Sequence, residues 1–214
     1  MARGPRAKKL IEAQARPVYA YAASMDRVYF ITHPEVEIDA ALAVTAWALS
    51  PLGQRRMRAF AELPLCASLV AVYASAENKA RQAAQWLADR RVIPVHVVTA
   101  LGENDRSSTG FLSKPDFEAA ADAFFADPHT SFRGWETAHE AQSRIVRAVA
   151  RIVREAPAGD LAIVSHGAVG TLNKCWLKQT SITRREDQPH QGHYYSFERA
   201  SGRLREDWTP LPGC

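Results

Sequence analysis

Two apolar runs, each followed directly by a histidine, constrain the fold of this 214-residue chain more than any other feature. Residues 28–32 precede His33, and residues 161–165 precede His166. Short runs of this kind, followed by helical patterns, predict strands that are covered on both faces of a parallel sheet. Open α/β sheets bind ligands outside the carboxyl ends of their strands. The two histidines could therefore meet at one edge of the sheet although they are far apart in the chain.

The rest of the pattern alternates strands with helices. Residues 69–73 predict a second strand, and apolar residues recur at helical spacing over 80–87. A third run, 92–98, contains Pro94, which predicts an edge strand. Residues 194–198 predict a last strand, which we also place at an edge because of its alternation. Repeated strand-to-helix units are typical of a three-layer α/β/α sandwich with a mostly parallel central sheet.

Residues 101–135 interrupt this alternation. A polar turn opens the segment, Ser113 then precedes Lys114 and Pro115 as a helix start, and an apolar helical stripe follows over 117–125. We predict a helical insertion at about 101–135 that lies over the carboxyl edge of the sheet, where a substrate lid would belong. A capping box at 137–140 then starts a long helix that leads back to the strand before His166.

The charge is concentrated at the start of the chain. Residues 1–26 hold five basic and two acidic residues, so this tail accounts for +3 of the formal net charge of +4. We divide the chain into a basic tail, 1–26, which is either an over-extended start or a targeting segment, and a domain over 27–214. The nearly neutral domain shows no basic patch within a recognisable module, which argues against a nucleic-acid partner.

Cysteine number and hydropathy indicate the environment. Cys66, Cys175 and Cys214 are odd in number and widely separated, so neither a disulfide framework nor a zinc site is indicated. No apolar stretch approaches the roughly 20 residues of a membrane-spanning helix. We expect a cytoplasmic protein that does not associate with a membrane.

Several short segments occur in an informative order. Residues 49–55 read LSPLGQR, residues 75–84 read SAENKARQAA, and Ser165-His166-Gly167 follows much later. Together with His33 and the acid Glu103, they resemble the histidine phosphatase superfamily, whose fold is also called phosphoglycerate mutase-like, over almost all of residues 27–198. In that family the first strand ends in Arg-His-Gly, and the helix-start segment carries an arginine where this chain has Lys79.

The resemblance implies a metal-independent phosphomonoester hydrolase with no cofactor. His33 would accept the phosphoryl group, His166 would stabilise charge on its oxygens, and Glu103 would protonate the departing alcohol. Asp105 is a second candidate for the role of the acid. The partner implied is a small-molecule phosphomonoester or phosphate, and neither its identity nor the oligomeric state can be read from the sequence.

This chain also departs from the family pattern at the phosphate pocket. Thr32-His33-Pro34 replaces Arg-His-Gly, and Lys79 supplies a point charge instead of a planar guanidinium. We assign substrate binding to Thr32 and Lys79, and to Arg106 as a replacement cation from the loop that carries Glu103. These departures leave two alternatives open: a catalytically weakened phospho-ligand-binding or scaffold protein of the same fold, and a mutase-like phosphotransferase.

Overall fold

The computed structural model describes residues 26–213, so the predicted basic tail lies outside the described residues except for its last position. Six strands form one sheet with the spatial order β3-β2-β4-β1-β5-β6. Their bounds are β1 Arg27–Thr32, β2 Leu69–Ala74, β3 Val95–Val97, β4 Asp160–Ser165, β5 His193–Glu198 and β6 Leu204–Pro210. Neighbouring strands among β1 to β4 are parallel, whereas β5 is antiparallel to both of its neighbours, β1 and β6. The prediction of a mostly parallel central sheet is confirmed.

The pairing of β1 with β4 decides where the two histidines lie. These strands are parallel neighbours in a register that sets Thr32 opposite Ser165. Both strands therefore end at the same level of the sheet, and the next residue of each is a histidine. The backbone N–H of His33 also donates to the Ser165 carbonyl at 3.1 Å, which continues the ladder by one residue.

The predicted edge position of β5 is wrong. Residues Tyr194–Phe197 are all buried, because β5 lies between β1 and β6 and both of its faces are covered. The edge is formed by β6, whose mixed polar pattern was not predicted as a strand and whose proline stands at its last residue. Edge strands tolerate polar residues and terminal prolines because one side of the backbone is unpaired. At the opposite edge β3 is confirmed, shortened to three residues after Pro94.

Five α-helices lie within residues 26–213, and the two starts predicted at Ser113 and at 137–140 are confirmed. The helices are α1 Pro51–Ala61, α2 Asn78–Arg91, α3 Lys114–Ala126, α4 Ala138–Glu155 and α5 Gly167–Leu177. Ser50 accepts a hydrogen bond from the Gly53 N–H, and Thr137 forms a full capping box with Glu140. These side chains satisfy backbone donors that a helix start leaves unpaired.

The helices cover both faces of the sheet, which confirms the α/β/α sandwich. Val28 and Phe30 of β1 pack into the core beneath α3, α4 and α5. Their neighbours Tyr29 and Ile31 point to the opposite face, where α1 and α2 cover them. None of the helices within residues 26–213 is long and apolar enough to cross a membrane.

Candidate active site

His33 and His166 form the centre of the site. Their ring centroids are 5.2 Å apart and the rings meet edge to face. The His166 side chain is 1% exposed, whereas His33 is half-buried and can be reached from solvent. The expectation that the two imidazoles meet at the carboxyl edge of the sheet is confirmed.

The His33 ring is held in one tautomer. Its Nδ1 lies 2.9 Å from the Pro34 carbonyl oxygen, which can only accept, so Nδ1 carries the proton and Nε2 keeps its lone pair. Burial, assisted by the positive charges of Lys79 and Arg106, lowers the pKa of His33 to about 3. The side chain is therefore a neutral base with an available nitrogen over a wide pH range.

His166 is oriented through its other nitrogen. Nε2 lies 2.8 Å from Ser75 Oγ and 3.2 Å from Glu77 Oε1, so the carboxylate faces the ring proton. Burial lowers the pKa of His166 well below its ordinary value, and the nearby His33 and Lys79 act in the same direction. Its Nδ1 is buried and has no hydrogen-bond partner among residues 26–213. Buried polar atoms are rarely left unpaired, so this nitrogen marks a place for a ligand.

Glu77 connects three parts of the site. Its carboxylate forms an ion pair with Lys79, faces His166, and accepts a hydrogen bond from the Glu103 N–H at 3.0 Å. Lys79 is 3% exposed and also donates to the Val44 carbonyl oxygen at 2.8 Å. The lysine lies at the site, but its charge is largely compensated.

Glu103 is anchored at the start of α5. One carboxylate oxygen accepts from the Val169 N–H at 3.1 Å and the other from the Ala168 N–H at 3.2 Å, next to His166 in the chain. Burial raises the pKa of Glu103, and the negative charge of Glu77 adds to this, whereas Arg106 opposes it. The Glu103 carboxyl group therefore stays protonated to a higher pH than an ordinary glutamate does.

Arg144 of α4 holds the loop that carries Glu103. Its guanidinium donates to the carbonyl oxygens of Ala100, Gly102 and Glu103 at 2.9 to 3.0 Å. Two further bonds go to the carboxylate of Glu136 at 2.9 and 2.7 Å. Sequence reasoning missed this residue, because nothing in a regular amphipathic helix signals which arginine turns inward.

Arg106 lies on the same loop as Glu103 and faces the site. Its guanidinium carbon stands 4.8 Å above the ring of Phe117 in α3. Its charge lowers the pKa of both histidines and of Glu103, which places it within electrostatic reach of all three. Asp105, by contrast, is exposed, and a hydrogen bond from the Ser107 N–H lowers the pKa of its carboxyl group, which is the wrong direction for a proton donor.

Thr32 lies behind the site. It is fully buried, and its hydroxyl accepts from the His193 N–H at 3.0 Å and donates to Gln188 Oε1 at 2.6 Å. The hydroxyl is thus used within the protein, and Gln188, which sequence reasoning did not single out, is the residue it orients. The structure therefore brings His33, His166, Glu103, Lys79 and Arg106 to one cluster with Thr32 beneath it.

Comparisons with known proteins agree with this geometry. The family model of the histidine phosphatase superfamily, branch 1, matches residues 28–206. The fold is an α/β/α sandwich with two histidines at the ends of neighbouring parallel strands. This chain belongs to the histidine phosphatase superfamily. No curated protein sequence matches the chain.

Solved structures share the fold at low sequence identity. A mycobacterial glucosyl-3-phosphoglycerate phosphatase in complex with VO3 superposes with a TM-score of 0.73 at 18% identity, covering 87% of this chain and 99% of that one. YhfR of Bacillus stearothermophilus gives 0.72 at 20% identity, with coverage of 85% and 95%. A mutant phosphoserine phosphatase of Entamoeba histolytica in complex with phosphoserine gives 0.70 at 15% identity, with coverage of 88% and 98%.

Proposed function

We propose that the protein hydrolyses a small-molecule phosphomonoester through a phosphohistidine on His33, without a metal ion or cofactor. The observation that carries this proposal is the state of His33: its Nδ1–H is tied to the Pro34 carbonyl oxygen, and its low pKa leaves Nε2 as a free nucleophile beside His166. The similar structures include phosphatases of glucosyl-3-phosphoglycerate and of phosphoserine, which favours a small phosphate ester here as well.

In the first step, His33 Nε2 attacks phosphorus and a P–N bond forms as the ester P–O bond breaks. The protonated Glu103 carboxyl gives its proton to the departing alkoxide, so a neutral alcohol leaves. The raised pKa of Glu103 supplies this proton above the usual range of a carboxyl group. The Pro34 carbonyl oxygen stabilises the imidazolium that forms when Nε2 becomes bonded to phosphorus.

In the second step, water attacks phosphorus and the P–N bond breaks. The Glu103 carboxylate takes the proton of the attacking water, which regenerates the acid, and inorganic phosphate leaves with His33 neutral again. Lys79, Arg106 and His166 are proposed to stabilise the charge on the phosphoryl oxygens during both steps, His166 after its unpaired Nδ1 takes up a proton with the phosphate anion. We assign a cytoplasmic location to the protein, and the buried free thiols of Cys66 and Cys175 fit such a reducing environment.

One observation favours the second candidate, a phospho-ligand-binding protein without efficient catalysis. The Lys79 ammonium is bound to the Glu77 carboxylate and to the Val44 carbonyl oxygen, so much of its donor capacity is used within the protein. A cation held in this way attracts phosphate less strongly than a free one. The binding protein and the hydrolase differ in whether phosphorus is transferred to His33.

The test is hydrolysis of an aryl phosphate, combined with mass spectrometry of the acid-quenched protein for a covalent phosphoryl group. We expect His33→Ala to abolish both turnover and the adduct, because His33 is the histidine of the pair that is open to solvent, whereas His166 is 1% exposed. His96→Ala is the matched control, since this exposed histidine stacks on Tyr73 at the edge of the sheet and should leave both signals unchanged.

Two outcomes contradict the proposal. Turnover that survives in His33→Ala would assign the reaction to another group. Saturable phosphate binding by a wild-type protein that hydrolyses neither an aryl phosphate nor a panel of phosphate esters, and shows no adduct, would support the binding protein instead.

A further inference from the structure

The carboxamide of Gln188 has a defined orientation. Its oxygen lies 2.6 Å from the Thr32 hydroxyl, which also accepts from the His193 N–H at 3.0 Å. The His193 carbonyl oxygen is a second acceptor for the same hydroxyl at 3.1 Å, and we assign the proton to the shorter contact with Gln188. A hydroxyl that donates to the carboxamide oxygen assigns the amide NH2 to the other side. The orientation of the side chain is thus set by a buried residue of β1.

The backbone at Gln188 is held as well. Its N–H donates to Asp187 Oδ1 at 2.8 Å, and the same oxygen accepts from the Thr171 hydroxyl of α5 at 2.7 Å. Both ends of the Gln188 side chain are therefore tied to elements that frame the histidine pair: β1 at the carboxamide and α5 at the backbone.

The NH2 group lies against the first residue of α5. A Cβ atom built on Gly167 would stand 2.6 Å from Gln188 Nε2, so a larger residue there would displace the amide from this position. Gly167 follows His166 directly in the chain. Within residues 26–213, Gln188 Nε2 donates to no acceptor, although the side chain is half-buried.

Other donors at this point are unused too. The Ala168 and Val169 N–H groups bind Glu103, whereas the Gly167 N–H has no acceptor among the described residues. The buried Nδ1 of His166, a side chain that is 1% exposed, also lacks a partner. An oriented amide and a helix-start N–H are donors suited to the oxygen atoms of an anion, and His166 Nδ1 becomes a third donor when it takes up a proton with that anion.

We propose that Gln188 Nε2 donates a hydrogen bond to a non-bridging phosphoryl oxygen of the ligand at His33, with Thr32 as its positioning residue. The proposal rests on the proposed function only in that the ligand is a phosphoryl group. The buried Thr32 hydroxyl then serves to orient the Gln188 carboxamide. It also supplies, from a neutral side chain, a donor where the charge of Lys79 is already compensated by Glu77.

The test measures the binding of inorganic phosphate by isothermal titration calorimetry, which needs no turnover. We expect Gln188→Met to weaken phosphate binding about tenfold, the usual effect of losing one hydrogen bond to a charged group. Gln188→Glu retains an oxygen that accepts from Thr32 but turns a carboxylate toward the anion. It should therefore weaken binding by more than about tenfold while the melting temperature stays close to that of the wild type.

Thr32 variants separate positioning from simple folding defects. Thr32→Ser keeps the hydroxyl and should bind phosphate within about twofold of the wild type, whereas Thr32→Val should match Gln188→Met. Because both changes remove the same contact, the double variant should be no weaker than Gln188→Met alone, within about twofold. The Gln188 variants decide the question by themselves if Thr32→Val does not fold.

The outcomes also separate this inference from the proposed function. Gln188→Glu and Gln188→Met proteins that bind phosphate as the wild type does would overturn the inference and leave hydrolysis at His33 untouched. Binding that depends on Gln188 in a protein that forms no phosphohistidine would support the inference and contradict the hydrolase. A wild-type protein that does not bind phosphate would overturn the inference, whereas turnover and the covalent adduct on His33 still decide the proposed function.

Discussion

Replacing Arg144 with methionine should destabilise the protein and slow the reaction together, because this residue holds the loop of Glu103. The guanidinium donates five hydrogen bonds, three to backbone carbonyl oxygens of the loop and two to Glu136. Methionine retains the length of the side chain and removes all five. The loop carbonyls and the Glu136 carboxylate, 16% exposed, lose their partner.

The magnitude follows from the burial of the pair. Breaking a buried ion pair by removing one partner costs about 3–5 kcal/mol. The Arg144 side chain is 25% exposed, so water replaces part of the lost interaction and the lower end applies. A loss of about 3 kcal/mol should lower the melting temperature by about 6–12 °C for a domain of this size. Small displacements of a catalytic group cost up to about a hundredfold in rate, so we expect kcat to fall about tenfold or more.

Urea denaturation and steady-state hydrolysis of an aryl phosphate measure the two effects. Arg147→Met is the matched control, since Arg147 is exposed one turn further along α4 and donates to no residue within 26–213. Its free energy of unfolding should change by less than about 0.5 kcal/mol. An Arg144→Met protein as stable as this control would refute the reasoning, and so would a destabilised protein with an unchanged kcat.

Two further predictions concern the pH dependence and the backbone. The value of kcat should fall as the pH rises through the raised pKa of Glu103, because the acid form must donate a proton, whereas His33, with a pKa of about 3, stays neutral throughout. A kcat profile that is flat from about pH 5 to 9 would contradict this assignment of the acid. Gly192 has φ +77° and a Cβ there would stand 2.6 Å from Arg56 Nη1, whereas Gly110 has φ +61° and open space around it. In urea denaturation, Gly110→Ala should lower the free energy of unfolding by about 1 kcal/mol, because only the backbone is strained. Gly192→Ala should lower it by about 2 kcal/mol more, since the buried Arg56 side chain must also move. Equal losses in the two variants would show that Arg56 moves without cost.

The elements with a strong local signal are the ones that sequence patterns predict. The strands before His33 and His166 are continuous apolar runs, and the helix starts at Ser113 and Thr137 carry capping side chains, so each is specified by neighbouring residues. The strand β6 escaped prediction because an edge strand needs no apolar run. The same polar segment is equally compatible with a loop, and it forms a strand because its backbone pairs with that of β5.

The site divides in the same way. Residue types and their order along the chain predict that His33 and His166 meet, since the carboxyl ends of parallel strands converge, and they make Glu103 the candidate acid. Only the tertiary structure decides that Arg144 holds the Glu103 loop and that the Thr32 hydroxyl contacts Gln188. These contacts join segments distant in the chain, and their hydrogen bonds depend on the packing of α4 and of the loop before β5. The neighbouring sequence does not indicate these partners, because a polar residue at any of these positions is equally compatible with exposure to solvent.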